Sequence, residues 1–252
     1  AVIIYGCLNL FFVRKWKYVI PGLLTIPVGS LLLTAFQVLP VLTLSPEGVR
    51  GAGVTAGFAA MFSFPPENLV TLVAPFFFGD IQDFPYWGRC YLWEMCLFMG
   101  VSGFFLALYG AVGDERRTRY GLIAMIVIMT ILALGAHTPL FRILFDWLPG
   151  YNKFRGTSKF MFFASLFWVL LAGYGMDRLI SQKIISRKFY FIPLSVALIL
   201  GVVAAWIFND ASETTIGSLW VGITRFVANT RESYFPLSLF RNGAFLSEAG
   251  RF

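Results

Sequence analysis

The sequence predicts an all-α, polytopic helical membrane protein, and three observations carry that prediction. The 252-residue chain is 58% hydrophobic and only 13% charged, with a mean hydropathy of +0.75, whereas soluble domains run near about 45–50% and about 25%. Five long stretches contain no acidic or basic residue: 18–44, 95–113, 120–136, 160–176 and 189–208. The short connections are rich in Lys and Arg, and they alternate with long connections whose charges cancel. Soluble, secreted and disordered classes are excluded, because even a compact soluble chain of this size buries only about 75% of its surface.

Taken in order, Ala1–Val13 is apolar but reaches only about 20 Å at about 1.5 Å per residue. It reads as the second half of a helix whose beginning is missing. The chain therefore reads as one transmembrane domain over residues 1–252, cut from a longer protein, with about six spans of which the first is truncated. Tyr18–Leu44 exceeds the roughly 20 residues a span needs, interrupted by Pro21, Pro27 and Pro40 and carrying one polar residue, Gln37. Met95–Gly113, Tyr120–Ala136, Phe160–Met176 and Phe189–Phe208 supply four more spans.

Charge sets the orientation. Residues 14–17, 114–119 and 177–188 hold ten basic residues against Asp114, Glu115 and Asp177, a net of +7 that equals the formal charge of the whole chain. By the positive-inside bias these connections are cytoplasmic. The excess is then a topology signal and not a nucleic-acid footprint. The remaining segments, near 45–94, 137–159 and 209–252, hold ten basic and ten acidic residues and fall outside.

The outer segments are long for connections, which usually take roughly 4–6 residues. In the first, Ser63-Phe64-Pro65-Pro66-Glu67-Asn68 has the signature of a helix start: Ser63 as cap, proline in the first turn, Glu67 complementing the dipole. The following apolar run to Pro75 is too short to cross and predicts an interfacial or re-entrant helix. Phe76-Phe77-Phe78-Gly79-Asp80 and Phe84-Pro85-Tyr86-Trp87 then have the composition of a headgroup belt. In the second, Thr138 is placed to cap a short helix with Pro139 at its first position and Leu140, Leu144 and Leu148 along one face. Pro149-Gly150 closes it, and Ser158 is placed to cap the next span. In the third, Ile216, Leu219, Trp220, Ile223, Phe226 and Val227 share a helical face, as in an interfacial helix or the edge of an outer domain.

No phosphate-loop, HExxH or nucleophile-elbow motif is present. A zinc site from His137 with Cys7, Cys90 and Cys96 would draw ligands from opposite depths of a membrane. Cys90 and Cys96 both fall near the outer surface, where a disulfide is possible, and their spacing does not put them on one helix face. Among the outer acids, Asp80 and Glu94 are candidates to hold a divalent cation or accept a proton, or simply to cap a turn and a helix start. Among the outer cations, Arg50, Arg89, Arg155 and Lys159 suit a lipid-borne phosphate, with acids or lipid headgroups as alternative partners. His137, the single histidine, closes a span either as a hydrogen-bonded cap or as a functional group.

Two stretches together resemble a known family. The first is Ser63-Phe64-Pro65-Pro66-Glu67-Asn68-Leu69-Val70-Thr71-Leu72, followed by Pro75-Phe76-Phe77-Phe78-Gly79-Asp80. The second is Leu134-Gly135-Ala136-His137-Thr138-Pro139-Leu140-Phe141-Arg142, then Leu148-Pro149-Gly150 and Phe154-Arg155-Gly156-Thr157-Ser158-Lys159-Phe160. Over about residues 18–180 the chain resembles the YfhO-type bacterial membrane proteins of the broad GT-C glycosyltransferase class. Where that family commonly reads proline, then Ser or Ala, then Arg, this chain has Gly156-Thr157-Ser158-Lys159 and keeps a cation. The resemblance implies an enzyme of the bacterial cytoplasmic (inner) membrane that moves a sugar from a polyprenyl-phosphate donor to an acceptor on the extracytoplasmic side. It implies a principal catalytic base in an outer loop that would precede Ala1, with Arg50, Arg89 and Arg155 toward phosphate and Asp80 or Glu94 toward a metal or hydroxyl. The alternative is a non-catalytic membrane subunit or scaffold that binds membrane-protein partners with the same architecture.

Overall fold

The computed structural model describes residues 4, 6, 16–44, 47–48, 53–80, 82–112, 116–181, 187–211, 217–228, 232–233 and 235–251. Among the described residues the secondary structure is helical without strands, apart from isolated bridges at Asp80–Pro85 and Arg89–Ser233. Four helices among the described residues are long and apolar enough to cross a membrane: Ile20–Leu44, Arg119–His137, Thr157–Ser181 and Pro193–Asp210. They coincide with four of the predicted spans, while the truncated first span lies almost wholly outside the described residues.

The expected span over Met95–Gly113 is corrected. Beyond Met95, which ends a short preceding turn, its helical part among the described residues is Val101–Ala111, about 16 Å long at about 1.5 Å per residue. Residues 96–100 are non-helical, and Gly100 turns the chain at φ +88°. Side chains from the preceding segment replace the missing helical bonds. Thr71 Oγ1 accepts the Leu97 N–H at 2.9 Å, and Asn68 Nδ2 donates to the Met95 carbonyl at 3.1 Å. Apolar composition alone does not distinguish this arrangement from a continuous helix.

The chain forms two compact units, one of Ala1–Ser63 with Asp114–Trp168, the other of Phe64–Gly113 with Val169–Phe252. The first contains α1 (Trp16–Leu44), α2 (Ala56–Ala60), α5 (Arg116–Leu134), α6 (Leu140–Trp147) and the opening turns of α7 (Phe160–Ser181). Helix α1 runs through Pro21, Pro27 and Pro40. The hydroxyls of Thr25, Thr34 and Thr43 donate to carbonyls three or four residues back, a local adjustment that accompanies proline in apolar helices. Met125, Met129, Ala133, Phe141, Met161 and Ala164 are buried in this unit.

The second unit contains α3 (Leu92–Met95), α4 (Val101–Ala111), the rest of α7, α8 (Arg187–Asp210), α9 (Ser218–Ala228) and α10 (Gly243–Arg251). Its core corrects the headgroup-belt expectation: Phe78, Phe84, Tyr86 and Trp87 are buried together with Trp220, Phe240 and Phe245. The rings meet edge to face, Trp87 and Trp220 at 5.8 Å and Phe78 and Trp87 at 5.0 Å, while Phe84 stacks on Phe245 at 5.4 Å. Each such pair adds about 0.5–1.5 kcal/mol beyond its buried area. Helix α9 likewise turns Trp220, Thr224 and Val227 into this core and leaves Leu219 and Phe226 exposed, so it is more than an interfacial helix. Ile216 lies outside the described residues.

Candidate functional site

In the first unit, the two family-like stretches meet. Ser63 does not cap the following helix, whose N-cap position is Pro65 with no side-chain bond. Instead its Oγ donates to the Ala60 carbonyl at 2.7 Å and accepts the Ala136 N–H at 3.0 Å. Thr157 Oγ1 lies 3.2 Å from both Ser63 Oγ and the Ala133 carbonyl and shares its donor between them. The backbone continues the seam, with Gly156 N–H donating to Met61 O and Ser158 N–H to Phe62 O, each at 3.1 Å. Gly135 is required at this junction. Its φ is +45°, and a Cβ would collide with Thr157 Oγ1 and Ser63 Oγ.

The other caps expected here also change role. Thr138 Oγ1 donates to Gly135 O at 3.0 Å and closes the 3-10 turn before α6, which carries no side-chain cap. Ser158 is buried with its Oγ unpartnered among the described residues. Around this seam the cations face outward. Arg155 is exposed with its guanidinium 5.0 and 5.2 Å from the Phe58 and Phe62 ring centroids, and His137, Arg142 and Lys159 are exposed as well. Because Thr157 touches Ala133, the end of α5 and the start of α7 lie side by side.

In the second unit, Arg89 is buried rather than presented to a phosphate. Its Nε lies 2.6 Å from Glu67 Oε1, with the two side chains 6% and 17% exposed. Its guanidinium also sits 5.2 Å from the Phe226 ring centroid. Arg89 Nε and both Glu67 oxygens make no aligned hydrogen bond, so the pair is held by charge. Tyr86 Oη donates to the Arg89 carbonyl at 2.8 Å, and burial pushes the Tyr86 phenol above its ordinary value. Sequence patterning marked Glu67 only as a helix-start acid. Its partner lies 22 positions on, and no local period connects them.

Asp80 is the turn-forming residue its alternative reading described. Its Oδ1 accepts the N–H groups of Gln82, Asp83 and Phe84 at 2.9, 2.8 and 3.1 Å. Desolvation works to raise the carboxyl, and the three donors outweigh it and hold it below its ordinary 3.8. Glu94 is half-buried in the single turn Leu92–Met95. Cys90 and Cys96 are free thiols. Burial, reinforced by Glu232, pushes the Cys90 thiol up to about 12. Among the described residues, no group of three or more His, Cys, Asp or Glu is arranged to hold a metal ion. Arg50 and Cys7 lie outside the described residues.

Comparison with known proteins returns no match, whether with family models, curated proteins or solved structures. Among the described residues the chain is helical, with four helices long and apolar enough to cross a membrane.

Proposed function

We propose that the protein is a glycosyltransferase of GT-C type in the bacterial cytoplasmic membrane, moving a sugar from a polyprenyl-phosphate donor to an acceptor on the extracytoplasmic side. The observation that supports this reading is the seam of Ser63, Gly135, Ala136 and Thr157. Segments about 70–90 residues apart interlock through the same residues that carry the family resemblance. A membrane setting is supported by α1, where Leu33 and Phe36 are 78% and 80% exposed. Each such side chain would forgo about 1.5–3 kcal/mol if left in water.

In this reading Arg155 and Lys159 face the lipid phosphate. Their charge opposes the charge that accumulates on the leaving phosphate as the glycosidic bond breaks, while a base takes the proton of the acceptor hydroxyl. Full-length protein incubated with labelled polyprenyl-phosphate sugars should transfer label, and Arg155→Ala should slow that transfer by about 10²-fold, as for loss of one charge-stabilising group. Unchanged turnover in both Arg155→Ala and Lys159→Ala would remove these residues from the site.

A second reading, a non-catalytic membrane subunit or scaffold, is favoured by a separate observation. Asp80 and Arg89 are both engaged internally, one by backbone donors and one by Glu67. Absence of transfer with every donor tried would count against the transferase reading.

A further inference from the structure

In the first unit, α6 (Leu140–Trp147) divides its surface into three sectors. Phe141 is buried and meets the rings of Phe145 and Tyr151, each at a centroid distance of 6.0 Å, which fixes one side of the helix against the unit. Ile143 and Trp147, one turn apart, are 57% and 83% exposed, and Trp147 is the most exposed large apolar side chain among the described residues. Arg142 and Asp146 are exposed as well. They form the third sector, each about 100° around the helix from its apolar neighbour. Large apolar side chains on one exposed flank, with charges on the next, are the pattern of a helix that lies in a membrane interface.

The position of α6 selects what covers that flank. The helix begins just past His137, where one span-length helix ends, and its connector leads to Thr157, where another begins. Thr157 bonds to Ala133, so those two ends lie side by side. At about 1.5 Å per residue α6 is only about 12 Å long, too short to cross. Its connector is held back against the unit: Tyr151 N–H donates to Leu148 O at 3.1 Å and Val54 N–H to Asn152 O at 2.9 Å. The helix therefore stays where two spans leave the hydrocarbon. Apolar exposure continues from the connector into the next span, with Phe154 72% and Phe162 71% exposed. Arg142 and Asp146, of opposite sign, match a zwitterionic headgroup layer, and tryptophan is enriched at that level. We infer that α6 lies along the phospholipid headgroup boundary, with Ile143 and Trp147 toward the acyl chains and Arg142 and Asp146 among the headgroups. An aromatic anchor of the kind expected at residues 84–87, which the fold buries, is then supplied by α6. This inference rests on the membrane reading and is independent of sugar transfer.

The test uses the full-length protein in phosphatidylcholine nanodiscs, with Cys7, Cys90 and Cys96 replaced by Ala. Spin labels are attached in turn to Arg142→Cys, Ile143→Cys, Asp146→Cys and Trp147→Cys. Collision with oxygen, which concentrates among the acyl chains, and with a water-soluble nickel chelate gives the depth of each label. The labels replacing Ile143 and Trp147 should lie about 5–10 Å inside the boundary between headgroups and acyl chains. Those replacing Arg142 and Asp146 should lie at the phosphates or outside them. A second measurement keeps the native side chain. The part of the tryptophan emission that Trp147→Phe removes should be quenched by phosphatidylcholine brominated near the top of its acyl chains, and little affected by aqueous iodide. Equal nickel access at all four positions would overturn the inference. So would poor access of both colliders to the labels replacing Ile143 and Trp147, the mark of a protein covering this flank, or Trp147 emission that iodide quenches and the brominated lipid does not. No sugar donor enters the experiment, so its failure is distinct from a failure of the transferase reading.

Discussion

Arg89 brings a full charge into a place where 6% of its side chain is exposed, and Glu67 at 2.6 Å is what makes that tolerable. Removing one partner of such a pair strands the other, at about 3–5 kcal/mol, whereas replacing both with apolar residues is often neutral. Arg89→Met alone should therefore lower the unfolding free energy by an amount in that range. The double variant Arg89→Met with Glu67→Leu should recover most of it, as read from denaturant titration of the purified protein. Equal losses in the single and double variants would mean that the charges are not coupled. Asp80 gives a pH-dependent case. Its folded value lies below the ordinary 3.8, so its stabilisation is fully present above that pH. It is lost as the pH falls through the lowered folded value, where the carboxylate binds a proton. Thermal unfolding followed from pH 5 downward should show a loss of stability in wild type that is reduced in Asp80→Asn, whose amide oxygen still accepts the turn but does not titrate. Identical acid profiles would remove Asp80 as a source of that loss.

At the scale of elements, the departure from expectation over residues 95–113 has a definite cause. A continuous helix would need no outside help, but the non-helical 96–100 stretch relies on Thr71 and Asn68 to satisfy Leu97 N–H and Met95 C=O. Such backbone is tolerated at membrane depth only when protein covers it. Thr71→Val keeps the shape and removes the acceptor, stranding a buried N–H at about 1–3 kcal/mol. Amide exchange should accelerate at Leu97 in that variant and remain slow within α8. Unchanged exchange at Leu97 would mean that another group holds it. Elsewhere in the second unit, α4 and α7 are joined by glycine. A Cβ at Gly175 would strike the Leu106 carbonyl, and one at Gly110 the Leu171 carbonyl, an approach of backbones that small residues permit in apolar helix pairs.

For the whole molecule, the alternation of basic and balanced connections predicts that residues 137–159 and 177–188 lie on opposite sides of a membrane. Thr157–Ser181 is long and apolar enough to separate them. With Cys7, Cys90 and Cys96 replaced by Ala, Lys153→Cys should react with an impermeant maleimide applied to intact cells. Asp177→Cys should react only after the cells are permeabilised. Labelling of both from the same side would overturn the topology.

How much was legible follows from the range of each interaction. Composition and charge placement are sums along the chain, so they sufficed for the helical class and for four of the apolar helices. Pro139 marked the start of the short helix and Pro149-Gly150 its close, because backbone conformation there is a local property. The capping assignments failed at Ser63, Thr138 and Ser158 for the opposite reason. A hydroxyl next to a helix start has several acceptors within reach, and at Ser63 the partners that it found, apart from Ala60, lie 73 and 94 positions away. The aromatic run 84–87 shows the same limit. Its composition fits a headgroup belt, yet Trp220 and Phe245, more than a hundred residues on, make most of it core. The sequence by itself determined that this chain is helical, apolar and charge-asymmetric, since those properties are carried residue by residue. Only the tertiary structure decided that Arg89 is paired with Glu67, that Asp80 serves a turn and that Arg155 and Lys159 remain exposed. Whether a charge is available depends on what distant segments bring against it.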